Sequence, residues 1–141
     1  MPVDKTRTNF VFRSLIYGHK GLHYNYLSYE DGLIVSLGGS WMAGVNGAKP
    51  GIVMVASPKV EDSYRQEFSP RTAEDMAEVL SLNESITVPA GTYQKCIKIK
   101  DFSPLEPDAI EHKFYASGVG NVQTVDVQTG KHLDLIRIIL E

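Results

Sequence analysis

Apolar and polar positions alternate along most of the chain. Between Thr92 and Phe102, Tyr93, Ile97 and Ile99 share one parity and Lys98 and Lys100 take the other, the two-residue rhythm of a strand with one buried face. Similar runs span Leu22–Tyr29, Leu33–Trp41, Ser63–Phe68, Glu78–Leu82, Ile86–Val88, Glu111–Ala116 and Val122–Val127. Ile52–Ala56 is a shorter apolar run that also reads as extended.

Turn residues punctuate these runs. Glu30-Asp31-Gly32 is a hairpin signal, because Asp-Gly tolerates the positive φ of a tight turn. Asn46-Gly47 centres a loop over residues 42–51, and Pro89-Ala90-Gly91 separates two strands. Ser103–Asp108 reads as a proline-bounded loop, Gly118-Val119-Gly120 as a hairpin turn and Gln128–Lys131 as the last connection. Leu133–Leu140 carries aliphatic residues on both parities, which predicts a strand covered on both sides or paired with a neighbouring chain. Arg71–Met76 has the only helical composition, one turn at most after Pro70.

The expected architecture is all-β. It is a single curved antiparallel sheet or half-open β-barrel meander of about eight to ten strands, with at most one short helix near residues 71–77. Residues 1–21 carry no decisive pattern, and residues 22–141 are expected to form one antiparallel β domain.

Several segments resemble a group of uncharacterised bacterial proteins, many of them exported or lipoprotein-like. They are Gly39–Ile52, Pro58–Phe68, Ala73–Val79, Val88–Lys98 (Val-Pro-Ala-Gly-Thr-Tyr-Gln-Lys-Cys-Ile-Lys), Ser103–Pro107 and Glu111–Val122 (Glu-His-Lys-Phe-Tyr-Ala-Ser-Gly-Val-Gly-Asn-Val). The Pro-x-Gly-Thr-aromatic and Tyr-x-x-Gly-Val-Gly signatures are also similar to half-barrel domains of lipoprotein-carrier type. The resemblance covers roughly residues 22–137 and brings no catalytic residues with it. It departs from the pattern at Glu61, where the group favours Gly, and over residues 1–21, which match nothing in it. Export is common among the resembling proteins, but the chain as written shows no signal peptide and would remain where it is made.

Charge narrows the range of functions. Fourteen basic and seventeen acidic residues are interleaved, for a net charge of −3, and the pI is about 5.8. Neither a basic face for nucleic acid nor one for anionic membranes is expected. No run of 18 apolar residues is present, so no transmembrane segment is expected. Cys96 is the single cysteine, so no intrachain disulfide forms, and it reads as a core residue on a strand.

No catalytic constellation stands out. His112 lies beside Glu111, but neighbours on a strand point to opposite faces and cannot orient one another. An enzyme using His112 with a distant carboxylate is therefore the weakest reading. His19 and His23 would suit a metal pair on a helix, whereas on a strand residues four apart lie about 13 Å from each other. Asp101, Glu106, Asp108 and Glu111 read as a solvated acidic loop without calcium-loop spacing. Neither a metal nor another cofactor is expected.

The aromatic residues are more suggestive. On a curved sheet, Tyr24, Tyr26, Trp41, Tyr93 and Phe114 would line an apolar cleft with polar tips. The leading expectation is a non-enzymatic binding module for a small apolar or amphipathic ligand. The alternative is a structural or interaction protein that forms a homodimer through its sheet edge.

Overall fold

The structure is a computed structural model that describes the backbone of residues 8–16, 20–30, 33–36 and 40–140, and side chains from residue 40 onward. Ten strands and no helix are present among these residues: β1 (Thr8–Ile16), β2 (Lys20–Glu30), β3 (Leu33–Ser36), β4 (Trp41–Met42), β5 (Ser63–Arg65), β6 (Met76–Val88), β7 (Gly91–Ser103), β8 (Glu106–Ala116), β9 (Gly120–Asp126) and β10 (His132–Asp134). The fold is all-β and antiparallel. Two compact units divide it, Met1–Ala56 with Arg65–Glu74 and Ser57–Tyr64 with Asp75–Glu141.

The first unit holds a four-stranded sheet in which β2 pairs with β1, β3 and β4. Glu30 faces Leu33 across the β2–β3 hairpin, and Tyr24 faces Trp41 across β2–β4. The Asn46-Gly47 turn is left-handed at both residues, with φ of 52° and 80°. Trp41 is buried against Ala48 and Ala73. Gly51 presses on the backbone of residue 66: a Cβ there would stand 2.0 Å from the Gln66 carbonyl oxygen. The expected helical turn at 71–76 is a reverse turn instead. Ala73 N–H donates to Ser69 C=O at 2.9 Å, and Arg71 is left-handed at φ 62°, which stops a helix from propagating.

The second unit is built on an open six-stranded sheet in the order β10-β9-β8-β7-β6-β5. Its two long strands, β6 and β7, join through Pro89-Ala90, with Val88 opposite Gly91. Turn glycines Gly118, Gly120 and Gly130 have φ of 75°, 102° and 72° and sit where the sequence places the last two connections. Glu61 is also left-handed, at φ 75°. Its N–H donates to Val79 C=O, and Val79 N–H donates to Asp62 C=O, both at 2.9 Å.

Two expectations are corrected here. The Ser103–Asp108 loop is only a two-residue turn, because β8 begins at Glu106. Ser103 pairs with Glu106 and Phe102 with Ile110, so residues 107–109 bulge out of the ladder. A bulge is where a strand tolerates proline, and Pro107 occupies it. The Leu133–Leu140 strand is cut to three residues, His132–Asp134. Its partner runs out: Asp134 faces Gln123, Leu135 N–H still reaches Val122 C=O at 2.9 Å, and β9 begins only two residues before Val122, at Gly120.

Both faces of the sheet carry core. Directly opposite residues in an antiparallel ladder share a face. One row runs Val79, Ile99, Lys113, Thr124 and the next Ala77, Asp101, Glu111, Asp126. Ala77, Val79 and Ile99 are fully buried. The other face holds Cys96, Phe114, Ala116 and Val122, with Ile86, Tyr93, Val125 and Leu135 packed around them.

Candidate functional site

The register brings a charged group onto the first of these faces. Asp101 on β7 stands opposite Glu111 on β8, and Lys113 lies two residues further along β8 on the same face. Lys113 Nζ pairs with Asp101 Oδ2 and stands 3.4 Å from Glu111 Oε2. Asp101 is buried beside the apolar floor of Ala77 and Ile99. Burial by itself pulls the lysine down, yet the Asp101 carboxylate and its hydrogen bond, then Tyr115 and Glu111, hold the ammonium above its usual range. Tyr64, buried on β5, has its phenol pushed up to about 12, first by burial, then by the charges of Tyr115, Asp101 and Asp62. At pH 7 Lys113 is thus an ammonium and Tyr64 a neutral phenol.

Sequence reasoning grouped Asp101 with Glu106, Asp108 and Glu111 as one acidic loop and left Lys113 out. Asp101 and Lys113 are twelve residues apart, and only the β7–β8 register joins them. The signal that could have found them is parity: Asp101, Glu111 and Lys113 all take the face of Ile99.

His112 falls on the opposite face, opposite Lys100 and Val125. Partial burial, then Lys98 and Lys100, lowers its pKa below the ordinary value. The same face carries Lys98 5.7 Å from the Phe114 ring centre and Lys100 4.8 Å from that of Phe102. Two pockets flank the β9 end of the sheet. One of about 110 Å³ is lined by Glu111, Thr124, Asp126, Lys131, His132 and Leu133. The other, about 340 Å³, is lined by residues 106–109 with Asp126 and Gln128. His112 lines neither. Among the described residues no group of three or more His, Cys, Asp or Glu side chains is arranged to hold a metal ion.

The five aromatic residues expected to line a cleft fall into two groups, one in each unit. Tyr24 is the cross-strand partner of Trp41, and Tyr26 is that of Phe10; the side chains of both tyrosines lie outside the described residues, as does His19. Trp41 is buried, and its indole Nε1 has no hydrogen-bond partner among the described residues; Gln66 Oε1, buried in the same unit, has none among them either. Tyr93 and Phe114 come together around Cys96 in the packed cluster of the second unit. The Cys96 thiol donates to Tyr93 C=O at 3.5 Å, and burial raises its pKa.

The clearest surface feature lies past the β10 edge. Leu133 is 76% exposed, Ile136 69%, Ile138 50%, Ile139 71% and Leu140 90%. Leu135 anchors this segment, since its C=O accepts from Ala90 N–H at 3.0 Å and its side chain packs on the Cys96 cluster.

No family model, no curated protein and no solved structure matches the chain. No helix among the described residues is long and apolar enough to cross a membrane.

Proposed function

We propose that the protein is a non-enzymatic structural or interaction module that self-associates through the β10 edge and the segment following it. The supporting observation is the exposure of Leu133, Ile136, Ile138, Ile139 and Leu140 beside a three-residue edge strand. An edge strand leaves backbone donors and acceptors on its outer side, and natural proteins guard such edges with charge, proline or a covering element. Here Arg137 is the only charge between Leu135 and Leu140. Burying a large aliphatic side chain is worth about 1.5–3 kcal/mol, so covering five of them gives an ample driving force for association. A second copy supplies an edge of identical backbone polarity and an equally apolar segment, and antiparallel pairing about a twofold axis satisfies both.

Light scattering on the purified protein across a micromolar concentration range tests this reading. A dimer mass is expected for the wild type and a monomer mass for an Ile136→Asp/Ile138→Asp variant. A wild-type monomer throughout disposes of the proposal.

A second reading, a small apolar or amphipathic ligand held at Trp41, is supported by the buried Nε1 of Trp41, which has no hydrogen-bond partner among the described residues. A buried donor without a partner costs free energy that a ligand's polar end would recover. Trp41 is the only tryptophan, so its fluorescence reports on this site directly. Titration with a fatty acid or hydrophobic dye is expected to give a saturable shift, and a flat response counts against this reading.

A further inference from the structure

We propose that two copies of the chain pair in one particular register, with Leu133 on the twofold axis and His132 of each copy opposite Asp134 of the other; this rests on the edge pairing proposed above. The β9–β10 ladder decides which backbone groups are on offer. Asp126 N–H donates to Lys131 C=O at 2.8 Å, and Leu135 N–H donates to Val122 C=O at 2.9 Å. These odd-numbered positions turn towards β9, so by alternation the N–H and C=O of His132 and Asp134 turn to the outer side. β10 is the last strand of its sheet, and that side is open among the described residues.

An antiparallel partner must therefore bond to His132 and Asp134, and charge chooses among the ways of doing so. With the axis on Asp134, two carboxylates stand directly opposite one another, which is destabilising. With the axis on His132, each Asp134 falls opposite the partner's Gly130 and gains no countercharge. With the axis on Leu133, His132 meets the partner's Asp134 twice. Read in reverse, the sequence His-Leu-Asp is its own complement, and this favours a second copy over an unrelated edge.

The side chains fit this register on both faces. His132 and Asp134 share a face, and His132 Nδ1 lies 3.0 Å from Asp134 Oδ2. Gln123 Nε2 donates to Asp134 Oδ1 at 2.8 Å, and a carboxylate still has lone pairs to spare. Pairing closes a ring of four alternating groups, histidine, carboxylate, histidine, carboxylate. Leu133 lies on the opposite face, beside Thr124, and is exposed. At the axis it meets its own copy as a pair without backbone hydrogen bonds between them, where Cα atoms stand about 4.5 Å apart and side chains come closest.

Disulfide trapping reads the register. Under mild oxidation Leu133→Cys is expected to run as a covalent dimer on a non-reducing gel, whereas the wild type, whose Cys96 is fully buried, is not. His132→Cys and Asp134→Cys are expected to link more slowly. Association constants read the charges. His132→Glu sets carboxylates against one another and Asp134→Lys sets a cation against histidine, so each is expected to raise the dimer dissociation constant about tenfold. Mixed in equal amounts, the two variants are expected to form a heterodimer of wild-type affinity, because the new glutamate of one faces the new lysine of the other. A wild-type dimer in which Leu133→Cys fails to link, or links more slowly than His132→Cys or Asp134→Cys, overturns the register and leaves the edge pairing standing. A mixture that associates no better than its components overturns the charge pairing. A wild-type monomer by light scattering overturns register and edge pairing together.

Discussion

Lys113 on β8 reaches diagonally across the strand pair to Asp101 on β7, so that a buried carboxylate finds its countercharge two rungs of the ladder from where the sequence places it. Asp101 has Ala77 and Glu111 as its cross-strand neighbours, and neither is a cation. Removing the lysine therefore leaves a buried negative charge with no compensation. Breaking a buried pair costs about 3–5 kcal/mol, and Lys113 is partly accessible, so Lys113→Met is expected near the lower end, about 3 kcal/mol. Urea unfolding followed by circular dichroism measures it; a loss below about 1 kcal/mol contradicts the role given to the pair.

Tyr64 makes stability fall at high pH. Its phenol titrates near 12 in the folded protein against an ordinary value of 10.0. Between those values the unfolded chain releases this proton and the folded one keeps it. The contribution is whole below pH 10 and is lost as pH rises towards 12. Tyr64→Phe is expected to flatten this part of the stability profile, as read from urea midpoints across that range. An unchanged slope would show that Tyr64 ionises freely.

His112 acts at the other end of the scale. Its folded pKa lies below 6.5 because of partial burial and the neighbouring Lys98 and Lys100. As pH falls below 6.5 the unfolded chain takes up the proton first, so the stabilising contribution present above that pH declines. NMR titration of His112 is expected to give a midpoint below the ordinary histidine value, and Lys100→Met to move it upward. A midpoint unmoved by Lys100→Met removes the electrostatic part of this account.

Glu61 holds a conformation that suits glycine, at φ 75°. A left-handed backbone costs a residue with a Cβ roughly 1–2 kcal/mol, and glycine pays part of that back in chain entropy. Glu61→Gly is expected to stabilise the protein by about 1 kcal/mol, visible as a raised thermal midpoint. A lowered midpoint would mean that the side chain earns more than the strain costs.

Local signals made much of the fold legible. Turns at Asn46-Gly47, Pro89-Ala90 and Gly118–Gly120 are set by a few adjacent residues, and parity marks the faces of β8 and of β7 beyond Lys95; Tyr93, expected on the face of Ile97 and Ile99, packs instead with the Cys96 cluster, because the left-handed Lys95, at φ 53°, interrupts the alternation. What depended on partners was not legible. Pro107 suggested a loop, but the β7–β8 register turns it into a bulge within a strand. The aliphatic residues after Leu133 suggested a full strand, but a strand needs a neighbour, and β9 runs out. The Asp101–Lys113 pair joins residues too far apart in the chain for spacing to reveal. Tyr93 and Phe114 were correctly placed on strands, but whether an aromatic residue lines a cleft or fills a core depends on what packs against it, here Cys96, Ala116 and Val122.

Amide hydrogen exchange over residues 132–140, compared at low and high protein concentration, tests the edge-pairing account most directly. A second copy pairing along β10 turns solvent-facing N–H groups into ladder donors, so protection confined to this segment is expected to rise with concentration. Exchange at the same fast rate at every concentration would contradict the account.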